Sequence, residues 1–308
     1  MNRRIRSGVL GIVLVIAASC AGFAQVDLSG EWKTLNFEDR AQRWDPPGTQ
    51  IGDYLGLPIN DAVRMRADTW MGSRYELQAW QCRPNSPDYM FHAVSDVTAF
   101  QEEDPVSRES TWHFYEIRSG PQDLVIHMDG GAHPPPQAPF SWMGYATGKW
   151  EGDILTVHIT HLKEGYIGRN GVARSDKAEV TLHIMRHDDI LTVVSIIYDP
   201  AYTTEPMIRS SDYQLDLHQH VPPFPCETTE IVDRPPGSVP NWAPGTNPSL
   251  HEFADEFHLP FEATRGGAET MYPEYRKKLE KMMNQVDYQK FIQQPVGSGT
   301  AKLPPSSY

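Results

Sequence analysis

The chain of 308 residues carries 40 acidic against 27 basic side chains, a formal net charge of −13. That balance excludes a nucleic-acid or anionic-membrane binder, which needs surplus Lys and Arg to displace counterions. A hydrophobic content of 39% supports a real core, but 26 Pro and 23 Gly divide it, which suits neither a helical bundle nor a disordered chain.

Residues 1–24 read as an export signal. Arg3, Arg4 and Arg6 form a positive start, Gly8 to Ala18 is small and apolar, and Gly22-Phe23-Ala24 suits signal peptidase. Removing this acid-free segment takes the net charge to −16. Its apolar run is too short for a bilayer span of about 20 residues, so no transmembrane segment is expected in the mature chain. Ala17-Ala18-Ser19-Cys20 is a poor lipoprotein box, leaving an outer-membrane anchor through Cys20 as the lesser alternative. The expected compartment is the bacterial periplasm, or secretion. Two cysteines then remain, Cys82 and Cys226, and an oxidising compartment favours one disulfide over two separate buried thiols.

From residue 25 to 220 the chain reads as short strands bounded by Gly, Pro, Asp or Asn. They are Asp27–Trp32, Asp123–Asp129, Asp153–Thr160, Ala178–Met185, Ile190–Tyr198 and Ser211–His220. Glu151-Gly152-Asp153 and His187-Asp188-Asp189 are tight-turn chemistry between neighbours. The expectation is an antiparallel meander closed into a β-barrel, because closure removes exposed edges. Residues 38–73 form an excursion with a short helix over Ala62–Ala67, capped by Asn60 or Asp61, that covers one barrel end. Residues 221–294 are a Pro-rich connection followed by helices. One starts at the capping box Ser249-x-x-Glu252, and a second runs from Pro273 to Lys281. Residues 295–308 read as a disordered tail.

Gly30-Glu31-Trp32 on the opening strand resembles the lipocalin pattern, in which the indole packs across the closed end. A longer set of motifs accompanies it: Asp129-Gly130-Gly131-Ala132-His133-Pro134-Pro135, then Ser141-Trp142-Met143-Gly144-Tyr145-Ala146-Thr147-Gly148-Lys149-Trp150-Glu151-Gly152-Asp153. Asp199-Pro200-Ala201-Tyr202-Thr203 and Glu269-Thr270-Met271-Tyr272-Pro273-Glu274-Tyr275 follow. Together they resemble an uncharacterised family of secreted bacterial proteins, and that resemblance implies a lipocalin-like fold and an exported location, with no assigned reaction. The chain departs from the pattern at His158-Ile159-Thr160-His161-Leu162 and at Val172-Ala173-Arg174-Ser175, where a histidine-rich element is missing.

Gly144, Gly148 and Gly152 recur every four residues among Trp142, Tyr145 and Trp150, which suggests a turn packed between rings. With His133 and His158, those three aromatics are the expected lining of a cavity for a moderately apolar small molecule. His127, Asp129 and His133 are the candidate acid–base groups if the barrel is instead a cofactor-independent hydrolase, lyase or isomerase. His218 and His220 share one side of a predicted strand and are candidate zinc ligands. A weaker third possibility is that the Pro-rich belt and C-terminal helices serve a protein partner. No Gly-x-Ser-x-Gly elbow, Cys-x-x-Cys or dinucleotide fingerprint is present, and Gly144–Lys149 is one residue short of a phosphate loop.

Overall fold

The computed structural model describes residues 26–35, 51–54, 56–71, 81–92, 95–116, 122–168, 170–218, 226 and 241–283. The expected signal and tail, His220 and most of the Pro-rich connection lie outside the described residues. Nine strands close into a barrel: β1 (Gly30–Thr34), β2 (Val97–Glu103), β3 (Ser110–Glu116), β4 (Gln122–His127), β5 (Tyr145–Glu151), β6 (Ile154–Thr160), β9 (Glu179–His187), β10 (Ile190–Tyr198) and β11 (Met207–Leu215). Two further short strands, β7 (Gly165–Tyr166) and β8 (Ala173–Arg174), pair with each other outside it. The order around the barrel is β1-β11-β10-β9-β6-β5-β4-β3-β2.

Period-2 alternation explains the strands. Leu155, Val157 and Ile159 on β6 and Val180, Leu182 and Ile184 on β9 are all at 0% exposure, while the residues between them face outward. The turns form where the sequence places them. Gly152 supplies φ +64° between β5 and β6, and Asp188 supplies φ +52° between β9 and β10.

Four expectations are corrected. The meander is not wholly antiparallel: β4 and β5 run parallel, paired only at Ile126↔Ala146 and His127↔Thr147. The segment 145–151 is a strand and not a turn. Gly148 points inward, where a Cβ would lie 2.5 Å from Met128 Sδ and 2.7 Å from Ile126 Cγ2, so close approach requires the glycine. The last barrel strand ends at Leu215, because the Asp216 carboxylate accepts from the His218 N–H and turns the chain. The Ser249 capping box does not form; the helix α3 is confined to Glu252–Glu256, and Asn247 accepts from the Ser249 N–H instead.

The helix α1 (Asp61–Asp68) is capped by Asn60, whose side chain accepts from Val63 N–H at 3.2 Å, and it buries Val63 and Ala67. A further short helix, α2 (Pro87–Met90), delivers Phe91 into the barrel. There the Phe91 ring meets Phe114 of β3 and Tyr213 of β11 edge-on, with centroids 5.6 and 6.5 Å apart, and its carbonyl accepts from the Tyr213 hydroxyl. The C-terminal helices, ending in α4 (Pro273–Met282), are tied to the α1 excursion: Arg265 binds Asp68 through two hydrogen bonds of 2.8 and 2.6 Å. Cys82 and Cys226 form a disulfide. Among the described residues no helix is long and apolar enough to cross a membrane.

Among the described residues the interior beside β6 and β9 is closely packed and not hollow. A side chain facing an internal void wide enough for water would show surface, yet the inward residues of β6 and β9 show none. The chain's own Met90 and Phe91 help fill that space. Leu182→Ala should cost about 2–5 kcal/mol in urea unfolding, as expected for a close-packed site. A cost below about 1 kcal/mol would indicate a loosely filled barrel.

Candidate functional site

Two surfaces converge where β4 leaves the barrel wall. Beyond Thr147, β5 has no strand on its β4 side among the described residues, and a cleft of about 590 Å³ opens between it, the residues after β4 and the β2–β3 hairpin. Its apolar walls are Trp112, Met128, Gly148 and Trp150, all on inward-facing registers. Its rim carries Asp129, Thr147, Lys149, Thr156 and His158. The Nε1 atoms of Trp112 and Trp150 are buried and have no hydrogen-bond acceptor among the described residues.

The outer face beside the cleft carries a belt of histidines. The residues linking β4 to β5 fold back over this face and place His133 against β5 and β6. His133 Nε2 and Nδ1 lie 2.8 Å from the hydroxyls of Thr147 and Thr160. Its ring is 4.7 Å from that of His158 and meets Tyr145 edge-on at 5.4 Å. His127 stacks on Tyr145 at 4.9 Å and pairs with Glu109 at 2.6 Å. His158 pairs with Glu179 at 3.0 Å.

Hydrogen-bond direction along this belt follows from one carbonyl. Pro135 O can only accept, so His161 Nε2, 3.0 Å away, carries the hydrogen. With neutral rings, His161 Nδ1 then accepts from the Thr160 hydroxyl, whose oxygen accepts from His133 Nδ1–H. His133 Nε2 is left to accept from the Thr147 hydroxyl. Both nitrogens of His133 are committed to holding the crossover in place.

The placement of the candidate residues is mixed. His127, His133, Tyr145 and His158 come together on the outer face. Trp150 faces inward at the cleft, and Asp129 stands at the cleft edge with its carboxylate accepting from the Gly131 N–H. Trp142 lies apart, with the Lys163 ammonium 5.0 Å and the Arg83 guanidinium 5.8 Å from its ring. His218 is 97% exposed and 4.0 Å from Asp216, so it is not on a strand facing a partner ligand. Among the described residues no three His, Cys, Asp or Glu side chains gather to hold a metal. Sequence reasoning missed Trp112, Met128 and Glu109. The alternation Thr111-Trp112-His113-Phe114-Tyr115 was the signal available for the first.

His133 has its pKa lowered, first by burial and then by the nearby His158 and His161 rings, with Glu179 opposing weakly. A depressed histidine pKa makes the folded state resist protonation. The stability it supports is complete above the usual 6.5 and is lost as pH falls through the lower folded value. Thermal melts should therefore drop between about pH 8 and about pH 5, and His133→Gln should flatten part of that drop.

No protein-family model and no curated protein matches the chain. Among solved structures, the fluorescent protein UnaG is similar at 9% identity over 61% of this chain and 97% of that one, with a TM-score of 0.27. So low a score carries no argument about ligand or activity, and the site must be read from its own geometry.

Proposed function

We propose that this chain is an exported, periplasmic protein that binds a moderately apolar small molecule in the cleft between β4 and β5. One observation carries the reading: the barrel interior is filled, yet the wall opens at this seam onto a concave space of about 590 Å³ faced by two tryptophans and a methionine. That combination of apolar walls and a polar rim is suited to a small organic ligand. Export is supported by the N-terminal Arg3, Arg4 and Arg6 with the apolar run behind them, and by the Cys82–Cys226 disulfide, which an oxidising compartment maintains.

Binding is favoured over acid–base catalysis because, of the candidate acid–base groups His127, Asp129 and His133, only Asp129 lines the cleft. His127 is held by Glu109, His133 by two threonines, His158 by Glu179 and Asp129 by a backbone N–H.

A neutral fluorophore such as N-phenyl-1-naphthylamine, which brightens in dry sites, tests the cleft. It should bind saturably at one site, and Trp150→Ala should weaken it about tenfold by removing apolar wall. Ile208→Ala, an exposed position on β11, should leave binding unchanged. Absence of saturable binding, or equal affinity in Trp150→Ala, would overturn the reading.

A further inference from the structure

We infer that the crossover between β4 and β5 is a pH-operated latch on this cleft, fastened while His133 is neutral and released in acid with loss of the ligand; this rests on the binding role proposed above. The cleft and the histidine belt share residues. Met128, Asp129, Gly130 and Gly131 line the cleft and are also the first residues of the crossover. Thr147 and His158 line it too, and they are a hydrogen-bond partner of His133 at 2.8 Å and a ring neighbour at 4.7 Å. Detaching His133 from β5 and β6 therefore loosens one wall of the cleft.

Little else fastens that wall. None of residues 129–141 is buried, so the crossover has no apolar anchor of its own. Its ties to the barrel are polar and few. His133 bonds to Thr147 and Thr160, His161 Nε2 donates to the Pro135 carbonyl, and the Ser141 N–H donates to the His161 carbonyl. The Phe140 ring adds one contact, again with His161, at 5.2 Å. A segment held this way opens at a lower cost than the packed strands beneath it.

Protonation acts on those ties through charge. Around His133 stand Tyr145 of β5, His158 of β6 and, through the shared Thr160 hydroxyl, His161. Beyond Tyr145, His127 of β4 is paired with Glu109. Opposing carboxylates are Glu179 of β9, 3.0 Å from His158, and Asp129 of the crossover itself, which accepts from the Gly131 N–H. The Thr147 hydroxyl can turn to accept from a protonated His133, so the hydrogen bonds survive acid. The crowding of imidazolium charge around Thr160 does not. Burial, then the His158 and His161 rings, already hold the His133 pKa below the usual 6.5, which a released, solvated ring would regain. The fastened state is thus complete above 6.5 and is lost as pH falls through the lower folded value.

N-Phenyl-1-naphthylamine stays uncharged between about pH 8 and about pH 5, so its titration into the full chain, disulfide intact, reads the protein's own protons. Its affinity should fall about fivefold to tenfold across that span. His133→Gln keeps a donor and an acceptor but takes up no proton, and should cut the fall to under about twofold. His113→Gln, on β3 beside Asp123 and apart from the belt, should keep the full fall. Hydrogen exchange of the wild-type chain, corrected for intrinsic rate, is the second measurement and decides if the His133 variant misfolds. The Ser141 amide should lose protection in acid while Val180–Ile184 of β9 keep theirs. Unchanged affinity across the span, or unchanged protection at Ser141, would overturn the latch and leave the cleft a binding site. A fall that survives in His133→Gln, or vanishes equally in His113→Gln, would overturn His133 as the titrating group. Loss of protection in β9 together with Ser141 would mark general acid unfolding and overturn the latch as well. If the probe does not bind even at the upper end of the span, the binding role falls and the latch falls with it.

Discussion

Closing an odd number of strands imposes one constraint on everything else in this molecule. Each antiparallel neighbour reverses strand direction, so a ring of nine cannot return to its start with every pair antiparallel. One pair must run parallel, and here it is β4 with β5. A parallel neighbour cannot be reached by a tight hairpin, so the chain crosses back over the outer face through residues 128–144 before β5 begins. That crossover carries Pro134, Pro135 and Pro136, which suit an extended path without ladder hydrogen bonds. The histidine belt is what fastens it down. His133 reaches across to Thr147 on β5 and Thr160 on β6, and His161 holds the carbonyl of Pro135.

The same constraint creates the cleft. Parallel pairing lasts for two residues, after which β4 has ended and β5 continues alone along one edge. An unpaired strand edge is normally a hazard, and here it is recessed between the β2–β3 hairpin and the turn at Gly130-Gly131. Gly148 sits at the point of closest approach, where Met128 and Ile126 occupy the volume of any side chain. The opening therefore lies at this seam, reached through the wall and bordered by inward-facing residues. The centre is taken by the protein's own residues, with Phe91 wedged between Phe114 and Tyr213.

At the far side of the chain, the covering segments form a second, polar layer of organisation. Asp68, at the end of α1, receives the Tyr54 hydroxyl at 3.0 Å and both arms of Arg265. Burial, followed by the Asp68 charge, drives the Tyr54 pKa upward, so that hydroxyl stays a donor. The Asn247 side chain adds a bond to the Asp68 carbonyl at 2.8 Å. One carboxylate thus links the excursion before the barrel strands to the extension after them. A partly buried, bidentate pair of this kind resists screening better than the exposed pairs elsewhere on the surface.

Local pattern alone determined much of the frame. Alternation marks Ile154–Thr160 and Ile190–Tyr198, Gly152 and Asp188 mark their turns, Asn60 marks the start of α1, and the two cysteines that follow the expected signal mark the disulfide. These depend on neighbours within a few residues, or on simple counting. Val97–Glu103 and Ser110–Glu116 were weaker signals, because Glu102, Glu103 and Asp104 make their shared turn look like a plain solvated run. The parallel seam, the filling of the interior by Phe91 and the meeting of Trp112 with Trp150 had no local trace. Each depends on how many strands the ring contains and where they join, and closure of a sheet is a property of the whole chain, which only the tertiary structure could decide.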